Sequence, residues 1–235
     1  MEHPEKGTLF IVSTPIGNLG DVTYRSVATL EKVDGIAAED TRRTRILLNH
    51  YKIATPLASF NSHNQTRKGP QFIKRLNRGE HLALVSDAGT PGISDPLFHL
   101  VQLAIENEIR VESLPGPSAL LAALTVSGLP MDRFLFEGFL PRKKRRKQTL
   151  ATLASQPTTV VLFESPHRID KTLRDLREVF GNRQVALTRE LTKLHEEVLR
   201  GTLDELVAAS QNRKWRGEIT VVIAGESKRK DRTSS

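Results

Sequence analysis

Leu9-Phe10-Ile11-Val12-Ser13-Thr14-Pro15-Ile16-Gly17-Asn18-Leu19-Gly20-Asp21 carries the reading of the fold in a chain of 235 residues. Leu9 to Ser13 has strand length and no charge. It runs into a loop of Pro and Gly, and a helical period follows from about Thr23 to Lys32 with Val27 and Leu30 on one face. The pattern recurs. Gly35 to Ala38, Leu82 to Ser86 and Arg110 to Leu114 read as further strands, with helical stretches from about Thr41 to Tyr51 and Gln65 to Asn77 between them. Short apolar runs alternating with longer amphipathic segments are the signature of α/β units and mostly parallel or mixed sheets. Asp95-Pro96 and Gly116-Pro117-Ser118 each read as the opening of a helix.

After Gly128-Leu129-Pro130 the pattern begins again, with strands at Phe134 to Glu137, Thr159 to Glu164, Gln184 to Arg189 and Ile219 to Ala224. A helix is expected over Ile169 to Val179, and Thr202-x-x-Glu205 matches a capping box before Leu206. Thr8 to Ser13 followed by Pro15 is echoed by Thr159 to Glu164 followed by Pro166. The expected layout is an α/β domain over 1–130, a second over 131–225 and a basic polar tail over 226–235.

Composition narrows the function. With 35 Lys plus Arg against 27 Asp plus Glu the formal charge is +8, and 38% of residues are hydrophobic, as in an ordinary globular protein. The positive surplus favours an acidic partner, nucleic acid first. Zero Cys excludes a disulfide framework, a thiolate zinc site and a cysteine nucleophile, and fits a reducing cytoplasm. Met1 to Gly7 carries acidic residues where an export signal needs a basic start, and apolar windows such as Ala119 to Val126 fall short of the roughly 20 residues that cross a bilayer. No membrane association is expected.

In open α/β sheets ligands sit beyond the carboxyl ends of strands. Three loops there are dense in Gly and Pro: Ser13 to Asp21, Asp87 to Pro96 and Pro115 to Ala119. Gly allows close backbone approach and Pro fixes φ, so such loops offer stiff arrays of carbonyls and amides; each alone could be a tight turn, and the three together point to a ligand cleft. Neither G-x-x-x-x-G-K-[ST] nor a strand followed by G-x-G-x-x-G is present, which disfavours a P-loop and a dinucleotide site.

Thr-Pro-Ile-Gly-Asn-Leu-Gly-Asp at 14–21, Ala-Glu-Asp-Thr-Arg at 38–42, Ser-Asp-Ala-Gly-Thr-Pro-Gly-Ile-Ser-Asp-Pro at 86–96 and Pro-Gly-Pro-Ser-Ala at 115–119 carry a resemblance that Glu164-Ser-Pro-His-Arg168 and Arg189-Glu-Leu-Thr-Lys-Leu-His-Glu-Glu197 extend. Over essentially Gly7 to Gly225 the chain resembles the ribosomal RNA small subunit methyltransferase I family of the tetrapyrrole methylase superfamily. The resemblance implies a tetrapyrrole methylase-like fold with a donor cleft between two α/β domains, S-adenosylmethionine as methyl donor, and a homodimer. It also implies methylation of a cytidine ribose 2′-hydroxyl in small-subunit ribosomal RNA, free or in the assembled subunit. On the same basis the donor touches Pro15, Asp87, Gly89, Thr90, Ser118 and Ala119 from the first domain and Phe163, Leu191 and Glu218 from the second.

Methyl transfer to an alcohol is an in-line displacement, which stiff loops suit. A sulfonium donor is matched by backbone carbonyls and a carboxylate such as Asp87, which could equally cap its own turn. A ribose hydroxyl must lose its proton or have its developing charge stabilised. Glu39 or Asp40, following the second strand, is the candidate base or orienting group, and Lys193 the candidate charge stabiliser; ion pairing within the site is the alternative for all three. The His residues form no ligand-spaced pair, so no metal site is expected.

Arg142-Lys143-Lys144-Arg145-Arg146-Lys147 is a continuous cationic run. Alone it reads as a solvated face; with an RNA substrate it reads as a phosphate clamp, with Arg42 and Arg43 as further RNA contacts. Other readings are a methyltransferase acting on a small tetrapyrrole, a metal-dependent phosphoester hydrolase built on Asp87, Asp95, Glu39 and Asp40, and a basic RNA-binding module without activity.

Overall fold

The computed structural model describes residues 5–93 and 98–226. The Asp95-Pro96 helix start and all but the first residue of the 226–235 tail therefore lie outside the described residues. The chain divides into two compact units, Met1–Ser118 and Ala119–Ser235.

In the first unit, β1 (Thr8–Val12), β2 (Gly35–Ala38), β3 (Leu57–Ser59), β4 (Leu82–Val85) and β5 (Arg110–Leu114) form a five-stranded sheet in the order β3-β2-β4-β1-β5. Every pairing is parallel. Such a sheet needs helices on both faces, because each crossover returns over one of them. The side-chain alternation shows both faces in use. Leu9, Ala37, Leu82 and Leu84 pack with α3 (Gln65–Leu76) and α4 (Phe98–Glu106). Val12, Ile36, Ala38, Ala83 and Val85 pack with Leu30 of α1 (Tyr24–Lys32) and with Leu47 and Leu48 of α2 (Thr41–His50). All four residues of β4 are buried, which is why its sequence is an unbroken apolar run.

The strand order positions the site. From β1 the chain crosses to β2 on one side, and from β4 it crosses over β1 to β5 on the other. The carboxyl ends of β1 and β4 are neighbours and diverge there, which makes them a topological switch point.

The second unit contains α5 (Ala119–Ser127), β6 (Phe134–Phe139), α6 (Arg146–Ala154), β7 (Thr159–Glu164), α7 (Ile169–Phe180), β8 (Gln184–Arg189), β9 (Glu197–Thr202), α8 (Leu203–Ser210) and β10 (Ile219–Ile223). Its sheet runs β6-β7-β10-β8-β9; β6 and β7 are parallel and the remaining pairs antiparallel, so this sheet is mixed. Ile169, Leu173, Leu176 and Phe180 form the buried stripe of α7, at helical spacing. The start of α8 carries the reciprocal cap: Glu205 N donates to Thr202 Oγ1 and Thr202 N to Glu205 Oε2.

The Gly128-Leu129-Pro130 turn lies inside the second unit, not at its edge. The reason is packing: α5 buries Leu120, Ala123 and Leu124 and rests against β8, β9 and β10. Two strands that the sequence pattern does not reveal, β3 and β9, complete the sheets at an edge of each. No helix among the described residues is long and apolar enough to cross a membrane.

Candidate active site

In the first unit the loops after β2, β4, β1 and β5 succeed one another along the carboxyl edge of the sheet, and hydrogen bonds stitch them together. Thr14 and Gly89 exchange two backbone bonds, N to O at 2.9 Å in each direction, across the switch point. Thr14 Oγ1 donates to Ser86 O at 3.3 Å. Ser13 Oγ donates to Thr90 Oγ1 at 3.1 Å, which donates to Pro117 O at 3.3 Å, so one hydroxyl relay crosses three loops. The turn favours glycine at position 89, where φ is +80°, and a Cβ there would press to 3.3 Å from Ile16 Cγ2. Pro15, Asp87, Gly89, Thr90 and Ser118, drawn from three separate stretches of sequence, thus share one stiff edge, and Ala119 follows as the first residue of α5.

Asp87 does not cap its own turn. Its Oδ1 accepts from Asp40 N at 2.9 Å, its Oδ2 lies 3.7 Å from Arg43 Nε, and Glu39 Oε2 lies 3.5 Å from Asp87 N. The carboxylate therefore ties the β4 loop to the start of α2. Asp40 is the N-cap of α2, accepting from Arg42 N at 2.9 Å while Arg42 Nε and Nη2 hold its two oxygens at 3.0 and 2.7 Å. These Arg42 bonds, side chain first and then backbone, outweigh desolvation and lower the Asp40 pKa from 3.8 to about 2. The same pairing raises Arg42. Beside this cluster lies a cavity of about 120 Å³ lined by Thr14, Pro15, Leu19, Arg43, Thr44, Ile46, Leu47, Ser86 and Asp87. No sequence motif marks Thr44 as a site residue, and Ser86 is marked only as the first residue of the 86–96 motif; the fold brings both here.

In the second unit the ends of β7 and β8 lie beside the start of β10, because β10 is antiparallel to both. This gathers Phe163, Leu191 and Glu218 at one end of the sheet. Phe163 makes edge-to-face contacts with Phe136 and Phe139. Glu190 N donates to Glu218 O and Glu218 N to Glu190 Oε1, each at 2.9 Å. Lys193 Nζ reaches Glu190 Oε1 at 2.8 Å and Glu218 Oε2 at 3.2 Å. Burial pushes Glu190 up, but the hydrogen bonds from Lys193 and from Glu218 N outweigh it and hold the carboxyl below its ordinary value. For Lys193, desolvation is likewise overcome by Glu190 and Glu218, and its pKa is raised. Both Glu190 and Thr192 adopt positive φ, 52° and 66°, and the buried Thr192 Oγ1 next to Leu191 has no hydrogen-bond partner.

The cationic run is not uniform. Arg142, Lys143, Lys144, Arg145 and Lys147 are exposed, but Arg146 is buried and must be withdrawn from the RNA-facing set. Its Nε donates to Asp175 Oδ2 at 2.8 Å and its Nη2 to Thr172 Oγ1 at 2.9 Å. Thr172 Oγ1 donates in turn to Glu164 Oε2 at 2.6 Å, and Arg168 Nε lies 3.4 Å from Glu164 Oε1. The Glu164 to Arg168 motif and Arg146 thus build one internal network. The helical spacing of Arg146, Leu150 and Leu153 is the signal in the sequence that could have found it.

Residues 8–207 match the family model described as Tetrapyrrole (Corrin/Porphyrin) Methylases. The chain is 49% identical over 220 residues to the ribosomal RNA small subunit methyltransferase I of Thermotoga maritima, covering 94% of this chain and 99% of that one. It is 51% identical over 224 residues to the protein of the same name from Xylella fastidiosa, covering 93% and 82%. Among solved structures it resembles the cobalamin biosynthetic enzyme cobalt precorrin-4 methyltransferase, with a TM-score of 0.70, 16% identity and coverage of 92% and 94%. It also resembles uroporphyrin III C-methyltransferase of Thermus thermophilus, with a TM-score of 0.64, 17% identity and coverage of 94% and 98%. At those identities the structural likeness concerns the fold.

Proposed function

The chain belongs to the ribosomal RNA small subunit methyltransferase I family of the tetrapyrrole methylases, and from that premise we propose that it methylates the 2′-hydroxyl of a cytidine ribose in small-subunit ribosomal RNA. S-adenosylmethionine is the methyl donor, and when bound it supplies an electrophilic methyl group on a sulfonium. The observation that carries the reading is the stitched edge of the first unit, where Thr14, Gly89 and Thr90 lock the β1, β4 and β5 loops. Residues of such an edge hold a ligand in a fixed line without reorganising.

The residues fit the donor. Pro15, Asp87, Gly89, Thr90, Ser118 and Ala119 would hold it from the first stretch of chain, offering backbone carbonyls and a carboxylate to a cation. Phe163, Leu191 and Glu218 are the candidate donor contacts of the second unit.

Of the two carboxylates after β2, Glu39 suits the role of proton acceptor and Asp40 that of an orienting group. A carboxylate held near pH 2 by Arg42 is a feeble base, whereas its place at the N-cap fixes the start of α2. Lys193, kept charged by Glu190 and Glu218, would stabilise developing negative charge on the ribose oxygen. The cations Arg142, Lys143, Lys144, Arg145 and Lys147, with Arg42 and Arg43, would contact phosphates of the RNA. The protein would act as a homodimer in the cytoplasm.

A phosphoester hydrolase fits less well, because it needs Asp87 and Asp40 oxygens turned to a cation, and these are engaged by Asp40 N, Arg43 and Arg42. The test is mass spectrometry of ribosomal RNA from cells lacking the protein, paired with transfer of a labelled methyl group to their purified small subunits. Loss of one ribose methyl, restored in vitro, is expected; an unchanged methylation map would overturn the proposal.

A further inference from the structure

All five strands of the second sheet end or begin on one row. Phe139 pairs with Phe163, Glu164 with Ile219, Ile219 with Arg189, and Arg189 with Glu197. The loops leaving β6 and β8 and the loop entering β10 therefore share one edge. After β6 come the exposed Arg142, Lys143, Lys144 and Arg145, and before β10 the exposed Lys214 and Arg216. Three strand spacings separate β6 from β8, about 14 Å in all, which is the reach of a few nucleotides. Carboxylates of this edge are engaged, Glu197 by Arg189 and Arg213, and Glu190 and Glu218 by Lys193. The exposed cations suit a polyanion laid along it.

The loop after β8 ends this edge and carries Leu194, which is 93% exposed. A solitary exposed leucine is ordinary, but two observations set this one apart. Its loop is braced: Lys193 N donates to Glu190 O and Glu196 N to Lys193 O, each at 3.0 Å, and Thr192 N donates to Glu196 Oε2 at 2.6 Å. Lys193 Nζ ties the same loop to Glu218 at 3.2 Å, and Leu191 anchors its start by burial. The tip is thus held outward. Its neighbours Lys193, His195 and Glu196 are polar, so Leu194 centres no apolar patch of the kind that a second protein chain covers.

We propose that Leu194 is a wedge that enters the RNA beside the target nucleotide and fills the gap in the stack while that nucleotide is turned outward; the inference rests on the methylation reading above. Leucine is among the side chains that proteins insert between base steps, where apolar contact with the base faces offsets the stacking that is lost. The position matches. Leu194 directly follows Lys193, the candidate partner of the ribose oxygen, so a wedge at this tip stands next to the reacting nucleotide. The cations before β10 and after β6 would hold phosphates on one side of it, which fixes where along the strand the wedge enters.

Because Leu194 is exposed, replacing it leaves the core intact. Leu194→Ala is expected to melt and sediment as the parent does and to bind S-adenosylmethionine within twofold by calorimetry. With small subunits from cells lacking the protein and labelled donor, it should lose at least tenfold in kcat/KM. Leu194→Met keeps the apolar reach and should recover most of that loss. Leu194→Lys adds a cation without a wedge and should stay as impaired as Leu194→Ala, although its RNA affinity rises at low salt. Parent-like kcat/KM in Leu194→Ala or Leu194→Lys, or no recovery in Leu194→Met, would overturn the inference. Altered sedimentation of Leu194→Ala would overturn it by assigning the side chain to a contact between copies, and a matching fall in donor affinity by assigning it to the donor. A parent protein that binds donor but methylates no subunit would instead overturn the methylation reading, and this inference with it.

Discussion

Replacing Arg146 by Ala separates the two roles that a cationic run can play. The Arg146 side chain is 9% exposed, its Nε is 2.8 Å from Asp175 Oδ2, and Asp175 is 25% exposed. Its Nη2 bond to Thr172 Oγ1 supports the hydroxyl that donates to Glu164, whose side chain is fully buried. Removing one partner of a buried pair costs ~3–5 kcal/mol. Water can reach Asp175, and Arg146 Nη1 has no partner to lose, so the lower end applies and R146A should destabilise the second unit by about 3 kcal/mol. At ~2–4 °C per kcal/mol for a chain of this size, the melt should fall by roughly 6–12 °C. R145A, one residue away and exposed, should stay within ~0.5 kcal/mol. The chain has a single Trp, and Trp215 is buried in the second unit with its Nε1 donating to Asp170 Oδ1. Urea melts followed by its fluorescence therefore report on the right unit. If R146A unfolded with the parent while its RNA binding lost salt dependence, Arg146 would be a phosphate contact and the reasoning would be refuted.

The Asp40 carboxyl should titrate near pH 2 by NMR, and Arg42→Ala should return it towards 3.8; its N-cap contribution is complete above about pH 4 and lost as pH falls through 2, so it drives no activity change between pH 5 and 9. A parent midpoint near 3.8 would contradict the Arg42 clamp. Gly89→Ala places a side chain at φ +80° and against Ile16, and should cost ~1–3 kcal/mol together with donor affinity, read by melting and calorimetry; unchanged values would show that the loop relaxes freely. Joint replacement of Arg142, Lys143, Lys144, Arg145 and Lys147 by Gln should reduce the salt slope of RNA binding by ~0.7 for each phosphate no longer neutralised, with donor affinity kept. Superimposable salt curves for the two proteins would exclude that surface from the interface.

What is legible in the sequence is local. Leu82–Val85 is an unbroken apolar run because parallel strands are covered on both faces, and Thr202 and Glu205 cap α8 through neighbours three residues apart. The elements that escape depend on distant partners. β3 has three residues, each only partly buried, and β9 gains its identity from pairing with β8, so neither carries a strong pattern of its own. α5 is apolar almost throughout, and nothing in Ala119–Ser127 says which sheet it covers. Charge read along the chain groups Arg146 with its neighbours, whereas burial follows the turn of α6.

The same distinction governs the site. Three Gly/Pro loops are visible as turns, but their convergence follows from the strand order β2-β4-β1-β5, which sets Thr14 against Gly89 and Asp87 against Asp40, 47 positions earlier. Asp87 shows the consequence. A carboxylate in a turn is chemically ambiguous until its acceptor sites are assigned, and here one oxygen is fixed by a backbone amide and the other faces Arg43. It therefore couples the position of α2 to the β4 loop, so a ligand that draws on Asp87 must also act on Arg43 and the start of α2. On the proposed assignment of Asp87 to the donor and Arg43 to RNA, the two ligands share one carboxylate, and Asp87→Asn, which keeps the acceptor for Asp40 N but removes the charge facing Arg43, should weaken the coupling between them more than it weakens the fold. Donor affinities measured with and without RNA would show it as a smaller ratio than in the parent; an unchanged ratio would leave Asp87 a purely structural tie.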